Sequence, residues 1–318
     1  MTEIPAPGTA RPGTAPADAA DVATRVFVDH RELVFSIVYN MLGGVADTED
    51  VLQETWLAWA ARSAAPDAPG IESPRAYLVR IAVNKALARQ AAISKRREAY
   101  FGPWLPEPLV TPLVPDTGPV DSAELAVRAE SVSMALLVVL ETLTPLERAV
   151  FVLHEVFGYA HTETAAVLSR TPAAVRQLAH RAREHVQARR PRFRADPRLS
   201  QEVTERFVAA AFGGDLEALM ELLAPEVTLW ADGGGKGAAA GRRPIHGRAR
   251  VAKLLVARTA RPLAGLDIRY QRVNGGPSAL VYSAGSLFSV LVIDLSPDGD
   301  RVQGIYSITN PDKFAGIE

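Results

Sequence analysis

Six prolines stand between residues 103 and 119, at 103, 106, 108, 112, 115 and 119. Proline fixes φ and has no N–H to donate, so this stretch excludes a regular helix and a central strand. The sequence on both sides carries helical spacing. The chain must therefore be built as at least two helical blocks joined by an extended tether over 98–121. The tether is unusual, because Trp104, Leu105, Leu109 and Leu113 all demand burial.

The first block spans 21–97. Phe27, Leu33, Val34, Ile37, Val38 and Met41 recur at near-helical spacing, and Gly43-Gly44 ends that helix. Asp47 stands where an N-cap is expected, with Asp50 three residues on in the manner of a capping box. In the helix that follows, Val51, Leu52, Thr55, Ala58 and Trp59 form one face, and Asp50, Gln53 and Glu54 another. After a loop with Pro66, Pro69 and Gly70, Ser73-Pro74 opens a further helix, serine as cap and proline at its first position. Tyr77, Leu78, Ile81, Ala82 and Leu87 suit its buried side. From Arg75 to Arg97 there are seven Lys/Arg residues and no acid.

Helices resume at Ser122 in a second block over 122–194. GYAHTETAAVL, SRTP and AAVRQLAHRAREHVQARR read as helix, tight turn, second helix: a helix-turn-helix. Val175, Leu178, Ala179, Ala182 and Val186 share one stripe of the second helix. Arg176, Gln177, His180, Arg181 and Arg183 occupy the outward arc. A basic helix behind a turn suits the DNA major groove; the plainer alternative is a solvated face on an ordinary bundle. Residues 161–194 hold eight Arg against two Glu, although the whole chain has a net charge of −1. No metal site is expected at His180, which lacks a companion ligand at suitable helical spacing, and His185 points elsewhere.

The third block, 198–318, reads as α+β. Helices near 200–213 and 215–223 precede a strand from Val227 to Ala231. A helix near 248–259 follows, then strands near 266–273, 278–283, 286–295 and 301–308, with turns at Asn274-Gly275 and Asp298-Gly299. Here WADGGGKG invites comparison with a phosphate-cradling loop. The lysine is followed by Gly237 rather than Ser or Thr, and AAAGRRP does not read as a helix, so nucleotide binding is not expected.

The absence of cysteine excludes disulfides and thiolate chemistry. No apolar run reaches the roughly 20 residues that cross a bilayer. Residues 1–20 lack a secretory signal's pattern and suggest an unstructured tail. A cytoplasmic protein without membrane contact is the expectation.

DTEDVLQETWLAWA, SPRAYLVRIAVNKALARQAAISKRR and GYAHTETAAVLSRTPAAVRQLAHRARE, in this order and spacing, resemble the extracytoplasmic-function sigma factors of bacterial RNA polymerase. The resemblance implies sigma region two over 21–97 and sigma region four over 122–191. It implies core RNA polymerase as partner, through the β′ clamp helices and the β flap, and promoter DNA as the other. Asp47, Asp50, Gln53 and Glu54 then face the polymerase, with Glu49 beside them. Arg80, Lys85, Arg89, Lys95, Arg96 and Arg97 supply positive potential for the opened minus-ten element. Tyr77 either stacks on a base or packs in the core. Arg176, Gln177, His180, Arg181 and Arg183 read the minus-thirty-five element; many relatives have a basic residue where Leu178 stands, so their base preference does not transfer.

The third block resembles the SnoaL-like cone, and a subgroup of these sigma factors carries such a domain fused at the C-terminus. Three motifs mark the subgroup: WLPEPL (Trp104, Leu105, Pro106, Glu107, Pro108, Leu109), DGGGK (Asp232, Gly233, Gly234, Gly235, Lys236) and NPDK (Asn310, Pro311, Asp312, Lys313). The implied architecture is multidomain: two all-α sigma modules plus an α+β SnoaL-like cone that regulates in cis. As a latch, the trio would seat Trp104 and the two leucines in an apolar site, with Lys236 engaging Glu107 and Asp232 engaging a cation.

Two rival readings differ in class. One is a regulator that binds duplex DNA without polymerase. The other gives the cone a small apolar ligand to sense or turn over, with Asp232, His246, Asp267 and Asp294 as available acid/base groups. The sigma reading expects no enzyme activity and no cofactor.

Overall fold

The structure is a computed structural model that describes residues 16–65, 71–111, 132–188, 196–236, 243–259 and 263–317. Residues 1–15, the Pro66–Pro69 loop, Leu113 with the prolines at 112, 115 and 119, the helix start at Ser122, the arginines at 189–194 and Gly237 lie outside them.

The first block folds as α1 (Pro16–Leu42), α2 (Val45–Ser63) and α3 (Pro74–Glu98). Helix α1 begins at Pro16, inside the stretch expected to be an unstructured tail. The cap of α2 also differs from expectation. Its N-cap is Gly44, extended at φ −122 and ψ 135, and Asp47 sits inside the first turn with no capping bond. Ser73 does cap α3, accepting from the Ala76 N–H at 3.3 Å.

A short strand, β1 (Val110–Thr111), ends the described part of the tether. The second block follows as α4 (Met134–Leu140), α5 (Pro145–Phe151) continuing into a wide turn over Val152–Val156, α6 (His161–Leu168) and α7 (Pro172–Gln187). The α6–α7 turn uses Ser169 in the left-handed region, φ 53, and Thr171 caps α7 by accepting from Ala174 N–H at 3.2 Å. The two helical blocks share one apolar cluster. Ile37, Met41 and Leu78 of the first belong to the same core as Leu137, Leu153 and Val175 of the second. Arg148 of α5 is buried among them at 2% exposure and donates from Nε to Asn40 O at 2.9 Å.

The third block comprises α8 (Pro197–Gly213), α9 (Leu216–Leu222), β2 (Leu223–Asp232), β3 (Ile245–His246), α10 (Arg248–Thr259), β4 (Asp267–Val273), β5 (Gly276–Ser283), β6 (Ser286–Leu295), β7 (Val302–Ile308) and a 3-10 turn, Pro311–Lys313. Strand β2 starts at Leu223, earlier than the expected Val227, with a register shift between Leu223 and Thr228 that accommodates Pro225. The sheet order is β1-β4-β5-β6-β7-β2-β3. Only β2 and β7 pair in parallel among these strands. Tether strand β1 thus extends the sheet edge, Val110 opposite Val273.

Because side chains alternate along a strand, this sheet has two faces, and both are covered. Ala279, Val281, Leu291 and Ile305 pack with Phe207, Val208, Leu219, Leu222, Val251 and Leu255 of the domain's own helices. Leu280, Tyr282, Val290, Val292, Tyr306 and Ile308 pack with Leu105 of the tether and Met134 and Ala135 of α4.

Candidate functional site

The acids on α2 and the bases on α3 were expected to serve different partners, yet they meet. Asp47 accepts from Arg89 Nε at 3.0 Å and from Arg96 Nη2 at 2.8 Å. Arg89 also bonds Asp50 and reaches Glu54 at 3.4 Å, and Lys85 donates to Glu54 at 3.0 Å. Burial alone would raise the Asp47 carboxyl, but the hydrogen bonds and charges of Arg96 and Arg89 outweigh it and hold it below the usual range. Arg97 turns inward. It bonds Glu141 and donates to Leu42 O at 2.5 Å, and burial pulls its guanidinium down to about 10. Among the described residues only Arg80 and Lys95 of the six bases form no ion pair with a carboxylate. Arg80 lies 5.4 Å over the Tyr77 ring, and that ring packs against Trp59 in the core.

Asp50 and Gln53, both exposed, line an open groove between α1 and α2 with Phe27, Arg31, Glu49, Leu52 and Trp56. Apolar floor and acidic rim together suit a basic amphipathic helix.

On α7, Arg176, Gln177, His180 and Arg181 are exposed and Arg183 is half-buried. Arg181 pairs with Glu147 at 3.2 Å and Arg183 with Glu155 at 2.6 Å, so two of the arginines are already tied to their own domain. Contrary to expectation, His180 has a neighbour one turn on: Glu184 lies 3.5 Å from Nε2. No group of three metal-ligating side chains occurs among the described residues. Leu178 faces the core, so packing fixes its apolar character.

The three motifs converge on Asp232, which is fully buried. Its carboxylate accepts from Leu105 N–H at 2.8 Å, Tyr100 O–H at 2.5 Å and Lys313 Nζ at 2.6 Å. Lys313 also bonds Leu105 O, and Asn310 Nδ2 donates to Tyr100 Oη at 2.8 Å. Burial pulls the Lys313 ammonium below its ordinary range, with Asp232 opposing; burial and Asp232 together push the Tyr100 phenol up. The 3-10 turn from Pro311 is capped by Asn310, whose Oδ1 accepts from Asp312 N–H at 3.1 Å. Gly233 O accepts from Lys236 N–H at 2.8 Å and closes the glycine turn. At Gly234, φ 58, a Cβ would meet the Asn310 amide at 2.5 Å, so the turn requires glycine. Gly235 lies over Phe101.

Two expectations for this junction need correction. Trp104 does not enter an apolar site of the cone. Its ring lies 3.4 Å from Arg97 Cζ and 4.3 Å from Lys313 Nζ, against Gly43 of the first block. Lys236 does not meet Glu107 but pairs with Asp312 at 2.6 Å, both exposed. Glu107 is held on the other side: its Oε2 accepts from Val45 N–H at 2.7 Å, so the tether itself caps α2. Glu107 N–H donates to Gly43 O at 2.9 Å, and Tyr39 O–H donates to Glu107 O at 2.6 Å. Asn274 of the cone donates to Tyr39 Oη at 2.8 Å and exchanges bonds with the Leu109 backbone. Pro106 and Pro108 are buried between these contacts.

Tyr39, Tyr100, Glu141 and Arg148 were not singled out in the sequence, and Asn274 was read only as a turn residue. Tyr100 was legible only as an aromatic beside WLPEPL. The remaining acid/base candidates are scattered. His246 on edge strand β3 bonds Thr228 of β2, Asp267 pairs with Arg269 on β4 towards the opposite edge, and Asp294 lies on β6.

The Sigma-70 region 2 family matches residues 26–97, and the Sigma-70, region 4 family matches 133–186. The chain is 36% identical to the ECF RNA polymerase sigma factor SigJ of Mycobacterium tuberculosis, over 90% of this chain and 91% of that protein. It is 29% identical to the probable ECF RNA polymerase sigma factor SigI of the same species, over 89% and 91%. The crystal structure of M. tuberculosis SigJ superposes with a TM-score of 0.71 at 34% identity, covering 92% of this chain and 98% of that one.

Proposed function

We propose, for a chain that belongs to the extracytoplasmic-function RNA polymerase sigma factors, that its SnoaL-like domain holds the tether and thereby keeps regions two and four closed on each other. As a sigma factor it binds core RNA polymerase and promoter DNA, and its two sigma regions recognise the promoter and initiate transcription.

The observation that carries the closure is Asp232. One buried carboxylate takes donors from the tether at Tyr100 and Leu105 and from the cone at Lys313. The same tether reaches region two through Glu107 and Trp104. In this arrangement α3 and α6 touch, Asn84 Nδ2 donating to Val167 O at 3.2 Å. A sigma factor that spans two promoter elements must separate these surfaces, so engagement of the tether restrains initiation.

At residue level, the groove at Asp50 and Gln53 is our candidate for the β′ clamp helices, and region four for the β flap. Arg176, Gln177 and His180 are favoured as base readers, because Arg181 and Arg183 are already paired. Arg80 and Lys95 are the bases poised for minus-ten DNA, and opening would free Arg97 from Glu141. The scattered acids and the apolar side chains packed beneath the cone's helices speak for a regulatory domain over a catalytic or ligand-holding one.

The test uses Tyr100→Phe combined with Asp232→Asn in the full chain. Energy transfer between dyes on α2 and α7 is expected to fall, and run-off transcription with core polymerase to rise. Unchanged distance and unchanged output in the folded variant would sink the closure.

A further inference from the structure

From Gly233 to Leu266 the sequence holds eight Lys/Arg residues and no acid, in a chain whose net charge is −1. Lys236 is paired with Asp312, and Arg258 is largely buried. Of the others, Arg243, Arg248, Arg250 and Lys253 lie among the described residues, on the approach to β3 and on α10. Arg243, His246, Arg250 and Lys253 are exposed, and Arg248 is half-exposed, its Nη1 donating to Met220 O at 2.9 Å. Arg243, Arg248, Arg250 and Lys253 form no ion pair among the described residues, although Glu217, Glu221 and Glu226 are exposed on the neighbouring α9 and β2.

The placement runs against local preference. A helix start favours acids, yet the first turn of α10 has none and carries Arg248 and Arg250. Arg250 and Lys253 are one turn apart and so share a face. His246, Arg248 and Arg250 line an open depression with Met220, Pro225, Gly247 and Ala249. The patch lies on the sheet's helix-covered side, across the sheet from Leu105 and α4. The tether junction does not use it.

We propose that the depression with His246, Arg248 and Arg250, flanked in sequence by the exposed Arg243 and Lys253, is a third nucleic-acid surface that grips the phosphate backbone of duplex DNA beside the promoter. Forked guanidinium groups match phosphate oxygens, and a cluster of cations that form no ion pair is the footprint of a polyanion. The polyanion that the two sigma regions already engage is DNA, and the inference rests on that reading. Backbone contacts carry no base preference, so the surface adds affinity and extends the footprint without altering which promoter is read.

The experiment titrates the full chain with a long random-sequence duplex by fluorescence anisotropy over a salt series. The double variant R250A/K253A is expected to bind about tenfold more weakly at low salt, with the log–log salt slope reduced by about 2. The charge-preserving pair R250K/K253R should retain both. Unchanged affinity and slope in R250A/K253A would overturn the surface. So would loss of core-polymerase affinity with DNA binding intact, because the partner would then be an acidic protein face. Run-off transcription by the unsubstituted chain with core polymerase reports separately on the sigma reading: no transcript would indict that reading, whatever the duplex affinity of R250A/K253A.

Discussion

One sheet of the C-terminal domain is closed in two chemically different ways. On one face Phe207, Val208, Leu219, Leu222 and Val251 meet Val281, Leu291 and Ile305, and the contact is mainly apolar, with Ser289 and Ser307 its buried polar pair. Such burial is non-directional and stabilises in proportion to area. On the other face Leu105 and Met134 cover Tyr282, Val290, Tyr306 and Ile308, but the margin is polar, with Asp232, Lys313, Tyr100 and Asn310 sharing bonds. A buried ion pair roughly balances attraction against lost hydration, and its strength shows mainly when one partner is removed. The first face therefore holds the domain together. The second specifies which segment docks while adding little net stability, as suits a contact that must release.

Three substitutions test that contrast. Phe207→Ala should have the largest effect, lowering C-terminal domain stability by about 3–5 kcal/mol. Urea unfolding would read this, and a loss under about 1 kcal/mol would mean the helix-covered face is not the domain's core. Leu105→Ala removes a fully buried side chain from the other face and should weaken docking by about 2–5 kcal/mol. Here the expected readout is lengthened separation of regions two and four with the domain's own unfolding transition unmoved. A fall in that transition would show that the two faces are one cooperative unit. Lys236→Ala should do least. The Lys236 and Asp312 side chains are 59% and 61% exposed, and a surface pair contributes about 0–1 kcal/mol. If its transcription changes as much as that of Leu105→Ala, the surface pair belongs to the latch after all.

Much was legible along the chain because it depends on neighbours in sequence. The helix-turn-helix followed from the spacing of Val175, Leu178, Ala179 and Ala182 and from Thr171-Pro172. The strands of the third block followed from short apolar runs between Asn-Gly and Asp-Gly turns. Errors arose where a distant segment supplied the partner. Asp47 reads as a cap in sequence, but the cap of α2 arrives from Glu107 on the tether. Lys236 and Glu107 have opposite charges and sit in the two motifs, yet Asp312 lies nearer to one and Val45 N–H to the other. Arg97 belongs to a basic run that suits DNA, but Glu141 and Trp104 hold it inside.

The sequence by itself determined the modules, their order and the proline-stiffened tether, because helical periodicity, turn chemistry and proline geometry act within a few residues. Only the tertiary structure decided that the tether is the centre of the molecule, with Asp232 and Lys313 closing over Leu105 while Glu107 caps a helix of region two. The reason is physical: which donor satisfies a buried carboxylate depends on which chain segments the packing brings within about 3 Å, and charge pattern alone cannot rank them.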